Sequence, residues 1–307
     1  MSTTTIIFGA TGQVGSAAAL AAEKHGAKVV LAMRDTTKAL PLDFSRVQAD
    51  LTKPDTVSAA VSSTGAKRAF IYLVEGANAE EAKGLRPTIE AMKSAGVELV
   101  VFLSSLAVKG DIYGIGPEPS VLAWEHAQVE ISLREVFGPR GYVSLRPGYF
   151  SSNLLRWADD IKQGEFKVPY PNVTWDFIAP QDIGRVAGLV LAKGIDAVDG
   201  QNAVYLCGPN MISQEDAIKT VEEVTGKYIK VIKIGDAEYL ELSDRQVPRS
   251  VGEVLLKSMA DRAQGRADDI FSPAVYQEGV ANLEKYGGAM TTLKDWVRQN
   301  KTAFLAE

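Results

Sequence analysis

The chain has one cysteine, Cys207, and two histidines, His25 and His126, in 307 residues. A single thiol excludes an internal disulfide framework and so few soft ligands exclude a histidine–cysteine metal cluster, so a reducing compartment and no metal are expected. An excess of basic charge is missing too. The 33 basic and 38 acidic residues leave a formal net charge of -5, which gives no electrostatic basis for nucleic-acid binding. Even the most apolar stretch, Val186 to Ala192, falls far short of a bilayer span, and no basic segment precedes an apolar one at the N-terminus. The expectation is a cytoplasmic protein with neither membrane nor nucleic-acid partner. Two catalytic signatures are absent as well: there is no Gly-x-Ser-x-Gly elbow and no Tyr-x-x-x-Lys pair.

What is present begins at once. Thr4 to Phe8 is an apolar, strand-like run that feeds into Gly9-Ala10-Thr11-Gly12-Gln13-Val14-Gly15 and then an alanine-rich helix. Three glycines at three-residue spacing between a strand and a helix let backbone N–H groups approach a pyrophosphate at the positive end of the helix. Gly9 makes the turn, Gly12 is the close-approach position and Gly15 the helix-packing position. The tip of the second strand, Met33-Arg34-Asp35, selects the dinucleotide. An acidic residue there accepts from ribose hydroxyls and favours NAD, whereas arginine matches the 2′-phosphate of NADP. Arg34 comes first, with Lys38 behind it, so NADPH is expected, although Asp35 remains available as a ribose ligand. The cofactor candidates are Gly9, Thr11, Gly12, Gln13, Val14 and Gly15 in the turn, Arg34 and Lys38 at the tip, Asp50 and Leu51 after the third strand, and Pro147 after the sixth.

Further strands are predicted at Arg46 to Ala49, Ala69 to Val74, Leu99 to Ser104 and Tyr142 to Arg146, with helices at Gly15 to His25, Asp55 to Ser62 and Glu80 to Ala95. That alternation specifies an α/β fold with a doubly wound parallel sheet. After Arg146-Pro147-Gly148 the rhythm breaks into aromatics and prolines, followed by a helix from Pro180 to Lys193 and a strand from Ala203 to Leu206 that rejoins the sheet. The expected organisation is a nucleotide-binding domain over 1–150 and a smaller, interleaved substrate lobe over 151–307.

The helix after the fifth strand reads Leu122-Ala123-Trp124-Glu125-His126, with Glu130 following; Leu122 and His126 stand where a Tyr-x-x-x-Lys pair would lie. The glycine turn, the Met33-Arg34-Asp35 tip, Phe102-Leu103-Ser104-Ser105 and Leu145-Arg146-Pro147-Gly148 with Asn153 resemble the NmrA-like branch of the atypical short-chain dehydrogenases. The His126 block is similar to the quinone reductase and triphenylmethane reductase type, in which a histidine replaces the usual lysine. In the second half the resemblance rests on landmarks such as Pro180-Gln181-Asp182-Ile183 and Thr291-Thr292-Leu293. Pro147-Gly148-Tyr149-Phe150 departs from the more common pattern and leaves the substrate pocket open. The resemblance implies NADPH and hydride delivery to a small aromatic or conjugated acceptor such as a quinone, enone or imine. It also admits a regulator that senses NADP without turnover, and the fold admits a non-redox cyclase or isomerase.

The catalytic candidates are His126, Ser104 and Tyr149. Histidine titrates near neutral pH and can place or supply a proton, but it also serves as a structural hydrogen-bonding residue. Ser104 and Ser105 sit at a strand end facing the crevice, as ligand contacts or as a cap. Tyr149, Phe150, Trp157, Tyr170 and Trp175 suit a flat substrate pocket or the packing of a lobe, and both readings stand. Gly110 to Pro119, rich in glycine and proline, reads as an exposed loop and candidate lid. The acid pairs Glu80-Glu81, Asp159-Asp160, Glu222-Glu223 and Asp268-Asp269 read as solvated helix faces. A monomer or homodimer is expected.

Overall fold

The computed structural model describes residues 2–74, 84–266 and 271–305. The chain opens with β1 (Thr4–Phe8), α1 (Gln13–Lys24), β2 (Lys28–Met33), β3 (Ser45–Gln48), α2 (Pro54–Thr64), β4 (Arg68–Tyr72), α3 (Arg86–Ser94), β5 (Leu99–Leu103), α4 (Val121–Phe137) and β6 (Tyr142–Pro147). It continues through α5 (Ala158–Lys162), β7 (Glu165–Val168), β8 (Thr174–Trp175), α6 (Pro180–Lys193), β9 (Ala203–Leu206), β10 (Ile212–Ser213) and α7 (Gln214–Thr225). It ends with β11 (Lys230–Lys233), α8 (Asp236–Ser243), α9 (Arg249–Ala263), α10 (Pro273–Gly287) and α11 (Leu293–Gln299).

Among the described residues the main sheet has seven strands in the order β3-β2-β1-β4-β5-β6-β9, and every pairing in it is parallel. Central strands covered by helices on both faces carry continuous apolar runs, as in Ile6-Ile7-Phe8 of β1 and Leu99-Val100-Val101-Phe102-Leu103 of β5. Strand order reverses between β1 and β4, so the crevice where such sheets bind ligands opens at the carboxyl ends of those strands. The expected strands are all found, within two residues of their predicted ends. The helix expected from Glu80 runs from Arg86, with Pro87 in its first turn; Glu80 to Lys83 lie outside the described residues.

Alanine on α1 and glycine on α6 bring these two helices unusually close. A Cβ on Gly184 would lie 2.4 Å from Ala17 Cβ, and one on Gly188 would lie 2.4 Å from Ala21 Cβ. At the start of α6, the fully buried Asp182 accepts hydrogen bonds from Thr291 N (2.7 Å) and Oγ1 (2.6 Å), which joins two landmarks remote in sequence.

Beyond β6 the chain builds a second core around Trp175, Phe177, Trp296 and Phe304, framed by the parallel pair β7 and β11 and the antiparallel pair β8 and β10. β9 returns from that region to the edge of the main sheet beside β6. No described helix is long and apolar enough to cross a membrane.

Candidate functional site

The glycine turn shows a division of labour. Gly9 has φ +72°, a conformation that favours glycine, and its carbonyl accepts from Gly12 N at 2.9 Å. A Cβ on Gly15 would lie 2.3 Å from that carbonyl oxygen, so Gly15 is demanded by packing inside the turn. Gly12 is different. Its Cβ would meet only Gly9 O, at 3.4 Å, so the space above it is open. Gly12 caps α1 without a side-chain hydrogen bond, and no acidic residue stands in the first turn. The free N–H groups and positive end of α1 therefore face open space, which suits an anion.

Two cavities meet at this turn. One, of about 240 Å³, is lined by Arg34, Asp35, Lys38, Asp50 and Leu51; the other, of about 510 Å³, by Gly12, Gln13, Val14, Gly15, Leu103 and Phe150. Gly9, Thr11 and Tyr72 line both, so the two form one groove across the switch point. Most of the sequence-predicted cofactor residues are thus brought together. Pro147 is buried, lines neither cavity, and gives its carbonyl to Leu106 N at 2.9 Å. Tyr72 was not foreseen; a Cβ on Gly9 would come within 2.7 Å of its ring, and its place at the end of β4 was the available signal. Asp35 turns into its own loop. Its Oδ1 accepts from Thr37 N (2.9 Å) and Oγ1 (2.6 Å), and these bonds hold the carboxyl below its usual range.

Ser104 lies just past β5 in a buried polar network. Its hydroxyl donates to Glu130 Oε1 at 2.6 Å, and Arg146 donates to the same carboxylate through Nε (3.0 Å) and Nη2 (2.5 Å), with Nη1 reaching Tyr205 at 3.1 Å. Glu130 is 1% exposed and Arg146 5%, so the pair is desolvated and satisfied by a forked, charge-assisted contact. Burial works against the Arg146 charge, but Glu130 holds the guanidinium above its ordinary value. Since the Ser104 proton points at Glu130, the hydroxyl presents only lone pairs elsewhere.

His126 is buried beside Phe102, with ring centroids 6.0 Å apart. Its Nδ1 lies 2.8 Å from the Leu122 carbonyl, which can only accept, so the proton sits on Nδ1 and Nε2 carries a lone pair. Burial lowers its pKa, against opposing pulls from the Leu122 carbonyl and Glu130. The lowered pKa favours the neutral ring, with Nδ1 donating to Leu122 and Nε2 left as an acceptor.

The aromatic group largely packs on itself. Tyr149 stacks on Trp175 at 4.4 Å and meets Phe177 edge-on at 5.6 Å. The space enclosed among Tyr149, Trp157 and Trp175 is about 10 Å³, room for no more than a water. Phe150 instead faces the groove, and Tyr170 hydrogen-bonds Asp236 at 3.2 Å. Burial raises the Tyr149 pKa. The buried Asp176 was not foreseen either. It accepts from Tyr149 N (2.7 Å) and Gly208 N (2.8 Å), and burial pushes it up to about 7 against those donors. A Cβ on Gly148 would lie 2.3 Å from its carboxylate, which explains the glycine after Pro147.

A separate cavity of about 620 Å³ lies between the segment from Ala107 to Pro119, the first turn of α4 and α9, and is lined by Lys109, Ile115, Ala123, Val254 and Lys257 among others. It shares no lining residue with the groove. Of the acid pairs, Glu222 accepts from Ile229 N (2.7 Å) and Glu223 pairs with Lys294 (2.8 Å), while Glu80-Glu81 and Asp268-Asp269 lie outside the described residues.

Comparison with known proteins finds relatives in sequence and in fold over nearly the whole chain. A relative in Gibberella fujikuroi, nitrogen metabolite regulation-like protein bik4, is 38% identical, and the match covers 94% of each chain. The fold resembles Escherichia coli NADPH-dependent quinone oxidoreductase QOR2 complexed with NADPH (TM-score 0.72, 22% identity, 97% of this chain and 99% of that one). It also resembles Citrobacter sp. triphenylmethane reductase complexed with NADP(H) (TM-score 0.70, 17% identity, 97% and 99%). The model of the NmrA-like family matches residues 1–288, so with its glycine turn, its His126 helix and its seven-stranded sheet the chain belongs to the NmrA-like family.

Proposed function

We propose that the chain binds NADPH along the groove and acts as a reductase of a small conjugated or aromatic acceptor. The observation that carries the reading is the alignment, in one groove, of the open, uncapped start of α1 above Gly12 with Arg34 and Lys38 at the far end. The backbone N–H groups of residues 13–15, left free by the Gly12–Gly9 bond, would hold the pyrophosphate, and Arg34 and Lys38 the 2′-phosphate. NADPH, when bound, supplies a hydride to the acceptor.

The chain's own groups favour an undemanding acceptor. Neither Ser104 nor His126 lines the groove, and each directs its proton away, Ser104 to Glu130 and His126 through Nδ1 to Leu122, so neither offers an acid to a bound acceptor in this arrangement. An acceptor that delocalises the incoming charge needs little acid in the transition state, because the anion is stabilised within the molecule itself. Quinones and enones meet that condition better than simple ketones. The 38% identity to a protein named for nitrogen metabolite regulation favours a second reading, an NADP-binding regulator without turnover.

The two readings separate in one experiment. NADPH oxidation is followed across quinones, enones, imines and unactivated ketones, alongside NADPH affinity by fluorescence titration. Turnover with quinones or enones above ketones supports the reductase. Tight NADPH binding with no turnover supports the regulator, and efficient ketone reduction contradicts the acid-free site.

A further inference from the structure

The loop that carries Arg34 and Lys38 is held from behind by the outermost strand of the sheet. Arg46 on β3 donates through Nη1 to the carbonyls of Thr36 (3.0 Å) and Lys38 (2.9 Å). Two residues on, Gln48 donates through Nε2 to the Arg34 carbonyl at 3.2 Å. Residues 46 and 48 share a face of the strand, so one edge grips the loop at both of its cationic positions. Neither Arg46 nor Gln48 lines the cavity that Arg34 and Lys38 enter. Inside the loop, Asp35 is closed onto Thr37 by two hydrogen bonds.

We propose that Arg46 and Gln48 are positioning residues that set the preference for a 2′-phosphate over a free 2′-hydroxyl without touching either. Two cations recognise one dianion only if they converge, and an unbraced five-residue loop would have to be ordered on binding. Anchoring the carbonyls of residues 34, 36 and 38 fixes the backbone from which Arg34 and Lys38 project. Within the braced loop, Oδ1 of Asp35 is held by Thr37 N and Oγ1, so the carboxylate beside the two cations is fixed in place as well. The planar arginine fork can serve two carbonyls at once, a task to which a single ammonium on a flexible stem is less suited. This inference rests on the NADPH reading above and deepens it.

The test is the ratio of NADPH to NADH dissociation constants, measured by fluorescence titration at fixed ionic strength beside thermal stability. Arg46→Met is expected to weaken NADPH by about tenfold and NADH by less than about twofold, and Arg46→Lys, which keeps the charge, to behave like Arg46→Met. Gln48→Leu, a milder change should Arg46→Met fail to fold, is expected to weaken NADPH by roughly threefold in the same selective manner. An unchanged ratio in the folded variants overturns the brace, and so does wild-type behaviour of Arg46→Lys, which would reduce the role of Arg46 to charge. A wild type that prefers NADPH regardless of Arg46 leaves the cofactor reading standing while this inference fails. A wild type that binds neither dinucleotide removes both.

Discussion

His126 donates its Nδ1 proton to the carbonyl of Leu122, one helical turn behind it and 2.8 Å away. The bond fixes the tautomer, and burial beside Phe102 keeps the ring uncharged. A histidine so held differs from a solvent-exposed imidazole in one measurable way, the pH at which it takes up a proton.

Because the folded pKa of His126 lies below the ordinary 6.5, the unfolded chain binds more protons as pH falls past that value. Its contribution to stability is fully present above about 6.5 and is lost as pH drops toward the lower folded pKa. In urea unfolding between pH 5 and 8, lowering the pH should cost the wild type more stability, or gain it less, than His126→Gln. His25, shifted in the same direction, and Asp176, raised to about 7 with the opposite slope, are common to both proteins and cancel in the difference. Equal slopes would mean that His126 titrates normally.

Arg34→Ala should weaken NADPH by about tenfold or more and leave NADH nearly unchanged, since a charge-assisted contact to phosphate is worth about 1.5–3 kcal/mol. Fluorescence titration with both dinucleotides checks it. Equal losses for both would remove Arg34 from the phosphate.

Gly12→Val and Gly15→Val should part company. The open space over Gly12 predicts a folded variant with dinucleotide affinity reduced at least about tenfold. The Gly9 carbonyl 2.3 Å from a Cβ at position 15 predicts an unstable variant, by about 1–3 kcal/mol or more. Thermal melts paired with titrations distinguish them, and a folded Gly12→Val that binds normally would make the turn purely structural.

Glu130→Leu leaves Arg146 buried without its anion and should cost about 3–5 kcal/mol of stability, while the double variant Glu130→Leu/Arg146→Leu should recover much of that loss. Denaturant midpoints of the four proteins form the cycle. A double variant as unstable as the sum of the singles would show that the two charges are not coupled.

The sheet was legible because its strands are short apolar runs set between helices, and the glycine turn because strand, glycines and helix occur in the required order. Arg34 was readable as the first residue past an apolar strand. The brace from Arg46 was not, since it needs the register that places β3 beside β2, and register is not written in spacing. Ser104 was foreseen at a strand end, but its bond to Glu130 depends on how α4 lies across β5 and β6. Tyr149 and Trp175 showed the opposite limit: their aromaticity was visible, yet only packing distinguishes a lobe core from a pocket. Asp176 carried no local signal, because its partners are backbone groups of two distant segments.

Gly184 and Gly188 leave no room for a Cβ against Ala17 and Ala21, so α1 rests directly on α6 behind the turn that faces the groove, and close packing of this kind resists displacement. A wall that cannot give meets its ligand already in the bound shape, and the free energy of the phosphate contacts appears as affinity instead of being absorbed by rearrangement. Such stiffness also restricts how the seam can diverge. An enlarged side chain on either helix requires a smaller one opposite it, and at Gly184 and Gly188 nothing smaller exists, so Ala17 and Ala21 are held at their present size by residues more than 160 positions away in the chain.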